Sequence, residues 1–130
     1  GTSETQTIKL GTADSTVSLI GDSGDATDDV FSVVFSEDGL GTVEIANFSV
    51  TNVEDVLDFS AYSENQGTFA LAGGEATLTM DGGDYDGETI TFEDNADGDA
   101  VGTSDLFEGE ITLSGVSTAD LEAANFNDFA

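Results

Sequence analysis

From Asp28 to Ser60 the chain reads DDVFSVVFSEDGLGTVEIANFSVTNVEDVLDFS. Two apolar runs, Val30–Phe35 and Val43–Phe48, flank Glu37-Asp38-Gly39-Leu40-Gly41, a turn sequence with two glycines. A third run, Val56-Leu57-Asp58-Phe59, closes the unit. The runs are short, rich in β-branched and aromatic residues, and bounded by Gly, Asp and Ser. That pattern marks strands, because a branched side chain packs well on a pleated surface and loses rotamer freedom in a helix. The segment is expected to be the core sheet of a small β domain.

The rest of the chain repeats this grammar. Gly1–Thr5 is polar and expected to fray. Gln6–Leu10 places Ile8 and Leu10 at period two, an edge or exchanged strand, and Val17–Ile20 repeats the pattern. The loop 21–29 follows. Ala61–Gly67 reads as a polar connection. Phe69–Leu71 and Ala76–Met80 read as strands around the Gly73-Gly74 turn. Asp81–Gly87 is an acidic turn into a strand Glu88–Phe92. Glu93–Asp105 reads as the longest loop, and Glu110–Leu113 as a further strand. Ser117–Asn125 is the one helical candidate, with Ser117 and Asp120 spaced as a capping box. The fold class is therefore all-β, one domain over residues 1–130. Two architectures fit: an antiparallel sandwich, since turns recur every 8–12 residues, or a short β-roll (solenoid) passing into antiparallel strands. One short C-terminal helix is expected in either case.

Charge decides what such a domain can bind. The chain carries 28 Asp and Glu against one Lys, with no His, Arg or Cys, for a net charge of −27. Nucleic acid is excluded, because binding it requires Lys and Arg to displace phosphate counterions. Anionic membrane surfaces are excluded on the same ground, and no apolar run is long enough to insert. Ser-His and Cys-His catalysis has no residues to use, nor has a nitrogen or sulfur zinc site. Paired carboxylates suit glycoside hydrolysis, but so many acids make chance pairs, and no Trp is present to stack on a sugar. No enzyme is expected. The lone base, Lys9, reads as an exposed edge-strand charge.

Compaction of so many acids is costly. Smearing the charge over a sphere of about 14 Å gyration radius gives a self-repulsion on the order of 20 kcal/mol relative to the coil. A domain's whole net stability is only about 5–15 kcal/mol. Cations or high salt are therefore expected around the folded chain. Ca²⁺ is the expected cofactor, since it takes six to eight oxygens from carboxylates and loop carbonyls. Three clusters supply such oxygens: Asp22, Asp25, Asp28 and Asp29; Asp81, Asp84 and Asp86; and Asp94, Asn95, Asp97 and Asp99. In the third, Asn95-Ala96-Asp97-Gly98-Asp99 alternates ligand-type side chains as calcium loops do.

Two stretches also carry a family likeness. Asp29-Val30-Phe31-Ser32-Val33 through Gly41, Ile45 and Phe48 to Glu54-Asp55-Val56-Leu57-Asp58-Phe59-Ser60 resembles the C-terminal regions of RTX (repeats-in-toxin, haemolysin-type calcium-binding) secreted proteins. Ile111–Val116 followed by Leu121–Phe126 resembles their closing segment. The glycine-rich nonapeptide of that family is absent: Gly21-Asp22-Ser23-Gly24-Asp25-Ala26 has Asp where its second Gly belongs and Ala where its Asp belongs. The resemblance implies type I export on an uncleaved C-terminal signal, here within residues 117–130 (Asn125–Ala130), and folding on Ca²⁺ outside the cell.

These readings converge on a secreted, non-catalytic, calcium-dependent structural protein. It would self-associate through edge strands into a filament, layer or matrix at the cell surface. The alternative is a calcium-binding export or accessory module of a larger secreted enzyme or adhesin.

Overall fold

The computed structural model describes residues 5–19, 30–50, 55–127 and 129–130. Among these residues, ten strands form two sheets. They are β1 (Thr5–Lys9), β2 (Ser15–Ser18), β3 (Val30–Val34), β4 (Val43–Ala46), β5 (Val56–Asp58), β6 (Asn65–Ala72), β7 (Glu75–Asp81), β8 (Thr89–Asp94), β9 (Ala100–Thr103) and β10 (Ile111–Ser114). The first sheet has the order β1-β3-β5, the second β2-β4-β10-β9-β8-β7-β6.

Of the two architectures, the chain adopts the β-roll passing into antiparallel strands. Odd and even strands alternate between sheets, and neighbours within each sheet run parallel: β1 with β3, β3 with β5, and β2 with β4. Each coil thus lays one strand on each sheet. After β5 the chain leaves the coil and builds an antiparallel meander, β6 to β10. Its last strand returns parallel to β4, with Ile111 opposite Val43 and Leu113 opposite Ile45. The central segment is therefore not one sheet. Its turn carries the chain from the first sheet to the second, so β3 and β5 share one sheet while β4 lies in the other.

Period-two alternation sends one face of every strand inward, as expected where each sheet has one solvated side. Phe31 and Val33 of β3, Val43 and Ile45 of β4, Leu57 of β5, Leu78 and Met80 of β7, Ile90 and Phe92 of β8, and Ile111 and Leu113 of β10 are all buried. Phe35 and Phe59 continue β3 and β5 inward and stack, with ring centroids 4.6 Å apart. Three further expectations are corrected. The stretch read as a polar connection, Ala61–Gly67, gives its last three residues to β6, which begins at Asn65. The segment read as one long loop, Glu93–Asp105, contains β9. Its inward residues are Ala100 and Gly102, so it lacks bulky β-formers; the Phe92 ring lies where a Gly102 side chain would be. The expected C-terminal helix is replaced by two single 3₁₀ turns, Thr118–Asp120 and Ala123–Asn125, and Ser117 makes no side-chain cap. Burial of Thr118, Leu121 and Asn125 breaks the run into separate turns held by tertiary contacts.

The C-terminal residues close the seam between the sheets. Phe126 bridges Leu57 of β5 and Phe129 bridges Gly67 of β6, both in parallel. Asn127 N–H donates to Leu57 O (3.2 Å), Ala130 N–H to Gly67 O (3.2 Å) and Phe69 N–H to Ala130 O (3.0 Å). Gly67 is required here: a Cβ at that position would lie 2.4 Å from the Phe129 ring. Among the described residues, β1 and β2 at the opposite end of the roll have a strand neighbour on one side only.

Candidate functional site

The acidic turns show how the expected calcium ligands are used. Asn95–Asp99 forms the β8–β9 turn. Asn95 N–H donates to Asp99 O (2.8 Å) and Gly98 N–H to Asn95 O (3.0 Å), with Gly98 at φ +85°. This is a type I turn followed by a left-handed glycine, a common three-residue hairpin connection. The Asn95 side-chain oxygen turns back into the loop and accepts from Asp97 N–H (2.9 Å) and Asp99 N–H (3.0 Å). Asp99 reaches instead to Gly115 N–H (2.9 Å) beyond β10. Asp94 accepts from Thr118 N–H (2.8 Å), and that bond holds its carboxyl below the usual carboxylate range. Asp94, Asn95 and Asp99 thus each serve different amides, while Asp97 enters the turn through its backbone N–H.

The Asp81–Gly87 turn behaves likewise. Asp86 accepts from Gly82 N–H (2.7 Å) and closes the loop on itself. Asp81 joins Ser63 through its backbone: its N–H donates to Ser63 Oγ (2.8 Å), whose own hydrogen has the Asn65 carbonyl (2.8 Å) as its nearer acceptor and the Asp81 carbonyl (3.2 Å) as its farther one. Asp84 lines a surface cavity with Glu37, Glu64, Tyr62 and Tyr85. Asp22, Asp25, Asp28 and Asp29 lie outside the described residues. Among the described residues, no three carboxylates are grouped to hold a metal ion.

The most organised polar centre was not a sequence candidate. Asp55, directly before β5, is the only buried carboxylate among the described residues, at 2% exposure. One oxygen accepts from Phe31 N–H in β3 (2.9 Å), the other from Ser49 N–H after β4 (2.9 Å). Its carbonyl accepts from Asn125 Nδ2 (3.0 Å), while Asn125 Oδ1 accepts from Glu122 N–H (2.9 Å). Burial pushes the Asp55 carboxyl above its ordinary value, against the two amide bonds that pull it down. This knot ties the second coil to the third and anchors the C-terminal turns. The groups that face the carboxylate are backbone amides, an arrangement that stabilises structure and presents no reacting atom. The sequence signal was faint: one Asp in an acidic chain, at the edge of an apolar run.

Compared with family models, with curated proteins and with solved structures, the chain matches none.

Proposed function

We propose that this chain is a non-catalytic structural module that self-associates edge to edge, outside the cell, with cations between its acidic copies. One observation carries the reading. Among the described residues, the seven-stranded sheet ends in β2 on one side and β6 on the other, and β6 is covered by the C-terminal residues only around Gly67–Phe69. Beyond that cover lies Leu71, at 41% the only exposed large hydrophobic residue among those described. Two unlike edges of one sheet pair head to tail. Such a contact does not close on itself and propagates as a filament. The like charge of the copies opposes this contact and calls for cations, Ca²⁺ foremost. The likeness to RTX regions supports the extracellular setting.

The test is sedimentation and light scattering at high protein concentration. It compares millimolar CaCl₂, NaCl of equal ionic strength, and chelator. Growing assemblies in CaCl₂ that Leu71→Lys suppresses support the proposal. A chain that stays monomeric throughout overturns it.

A further inference from the structure

Three turns meet on one side of the roll: that between β3 and β4, that between β5 and β6, and that between β7 and β8. Between them lies a cavity of about 270 Å³, with Glu37, Tyr62, Glu64, Asp84 and Tyr85 among its lining residues. The two tyrosine rings lie 5.4 Å apart, tilted by 55°. Tyr62 is buried, backed by Phe107 at 6.4 Å, and donates its hydroxyl hydrogen to the Ser36 carbonyl. It is thus a fixed wall, while Tyr85 is half-exposed at the mouth.

We propose that this cavity is a receptor for an organic cation: an ammonium or guanidinium head carried on a short apolar stem. Aromatic faces attract cations through the ring quadrupole and offer the stem an apolar surface. Glu37, Glu64 and Asp84 come from three separate turns and line the same cavity as the rings. None of them belongs to a three-carboxylate group able to hold a metal ion. Charge spread over three turns beside an aromatic wall suits a head larger than a bare ion. Burial pushes the Tyr62 phenol up to about 12, against a backbone hydrogen bond from Gly39 and with smaller contributions from Tyr85, Asp38 and Glu37. The volume lies just below the usual range of drug-sized pockets, which suits a small guest.

The chain supplies its own probe. It has two tyrosines and no Trp, and both tyrosines line this cavity. Tyrosine emission therefore reports on this place alone. Dilute protein is titrated with n-butylammonium chloride, with NaCl at equal ionic strength, and with CaCl₂. The expected result is a saturable change with butylammonium only. Tyr85→Leu weakens it by about two- to five-fold, the scale of one exposed cation–π contact, with Tyr62 still reporting. Glu64→Gln weakens it by up to about five-fold, the scale of one exposed ion pair. Butylammonium and NaCl curves that superimpose, variants that titrate as wild type does, or saturation by Ca²⁺ at lower concentration would each overturn the proposal.

The head has two sources, a free amine or Lys9 of a second copy, since Lys9 is exposed and is the only basic residue of the chain. A second arm, which rests on the self-association proposed above, separates them. Assembly weakened both by butylammonium and by Lys9→Gln assigns the head to the second copy. A Lys9→Gln chain that assembles as wild type does, with the titration intact, assigns it to a free amine.

Discussion

Asp55→Ala strips the buried knot of its acceptor while leaving the backbone carbonyl that Asn125 uses. Phe31 N–H, in the interior, loses its partner; stranding one buried amide costs about 1–3 kcal/mol. The bond from Ser49 N–H is to a charged acceptor, worth about 1.5–3 kcal/mol net. Part of this is returned, because burial of the carboxylate is itself unfavourable, as its raised pKa indicates. The expected loss is about 2–4 kcal/mol, or a fall in Tm of roughly 8–15 °C for a chain of this size. Urea unfolding in buffered saline measures it, with an unchanged slope against denaturant showing that the unfolded state is not altered. Asp55→Asn keeps one acceptor and should lose less. It also cannot titrate. A raised pKa means the folded chain holds that proton more tightly than the unfolded chain. The stability drawn from Asp55 is therefore full below the unfolded value and is lost as pH rises through the raised one. The gap between wild type and Asp55→Asn is expected to be widest in acid and to narrow towards neutrality. A loss under about 1 kcal/mol for the alanine variant, or a gap that widens with pH, would refute the reasoning.

Gly67→Ala drives a methyl into the Phe129 ring and should release the C-terminal residues, costing about 1–3 kcal/mol; faster hydrogen exchange at the Phe69 and Ala130 amides is the readout. Asn95→Ala removes the acceptor shared by two turn amides, both exposed, and should cost about 1 kcal/mol in urea unfolding. Asp94 titrates in the opposite sense to Asp55. Its lowered pKa adds stability above the ordinary carboxylate value that is lost as pH falls through the lowered one, so Asp94→Asn should flatten the acid limb of the stability–pH curve.

The strands were legible where one face is buried and the side chains are large. Val30–Phe35, Val43–Phe48 and Val56–Phe59 announce themselves because Phe, Val and Ile alternate with polar residues over short spans. Sheet membership was not legible. The turn Glu37–Gly41 reads alike whether it folds β4 back beside β3 or carries it to the opposite sheet, since side-chain period tells inside from outside and nothing about the neighbour. β9 escaped notice for a packing reason: Phe92 of the adjacent strand occupies the space above Gly102, so its sequence is small where strands are usually bulky. The same ambiguity clouds the acidic turns. Asn-x-Asp-x-Asp is the spacing of a calcium loop and also of a tight hairpin whose first side chain accepts amide bonds. Only the direction of Asn95 Oδ1 separates the two. The cavity at Tyr62 and Tyr85 could not be read at all, because its carboxylates come from three turns far apart in the chain.

The charge of the chain and the placement of its acids together constrain what ions do here. Asp55 excepted, the described carboxylates are exposed or half-exposed, and no three of them converge. Repulsion among such groups is relieved by any mobile cation, since the screening length shrinks from about 10 Å at 0.1 M salt to about 3 Å at 1 M. NaCl alone should therefore raise the melting temperature steeply at low ionic strength and level off. Ca²⁺ at equal ionic strength adds an increment that saturates at a defined concentration only through a site, and a ligand that binds the folded state alone stabilises it by RT ln(1 + [L]/Kd). Asp22, Asp25, Asp28 and Asp29 are the one sequence cluster outside the described residues. We predict that replacing all four with Asn abolishes any calcium increment in calorimetric unfolding and leaves the NaCl response in place. A calcium increment that survives the fourfold replacement would mean that described turns rearrange to bind the ion, and that the bonds of Asp86, Asp94 and Asp99 to backbone amides do not hold in the loaded protein.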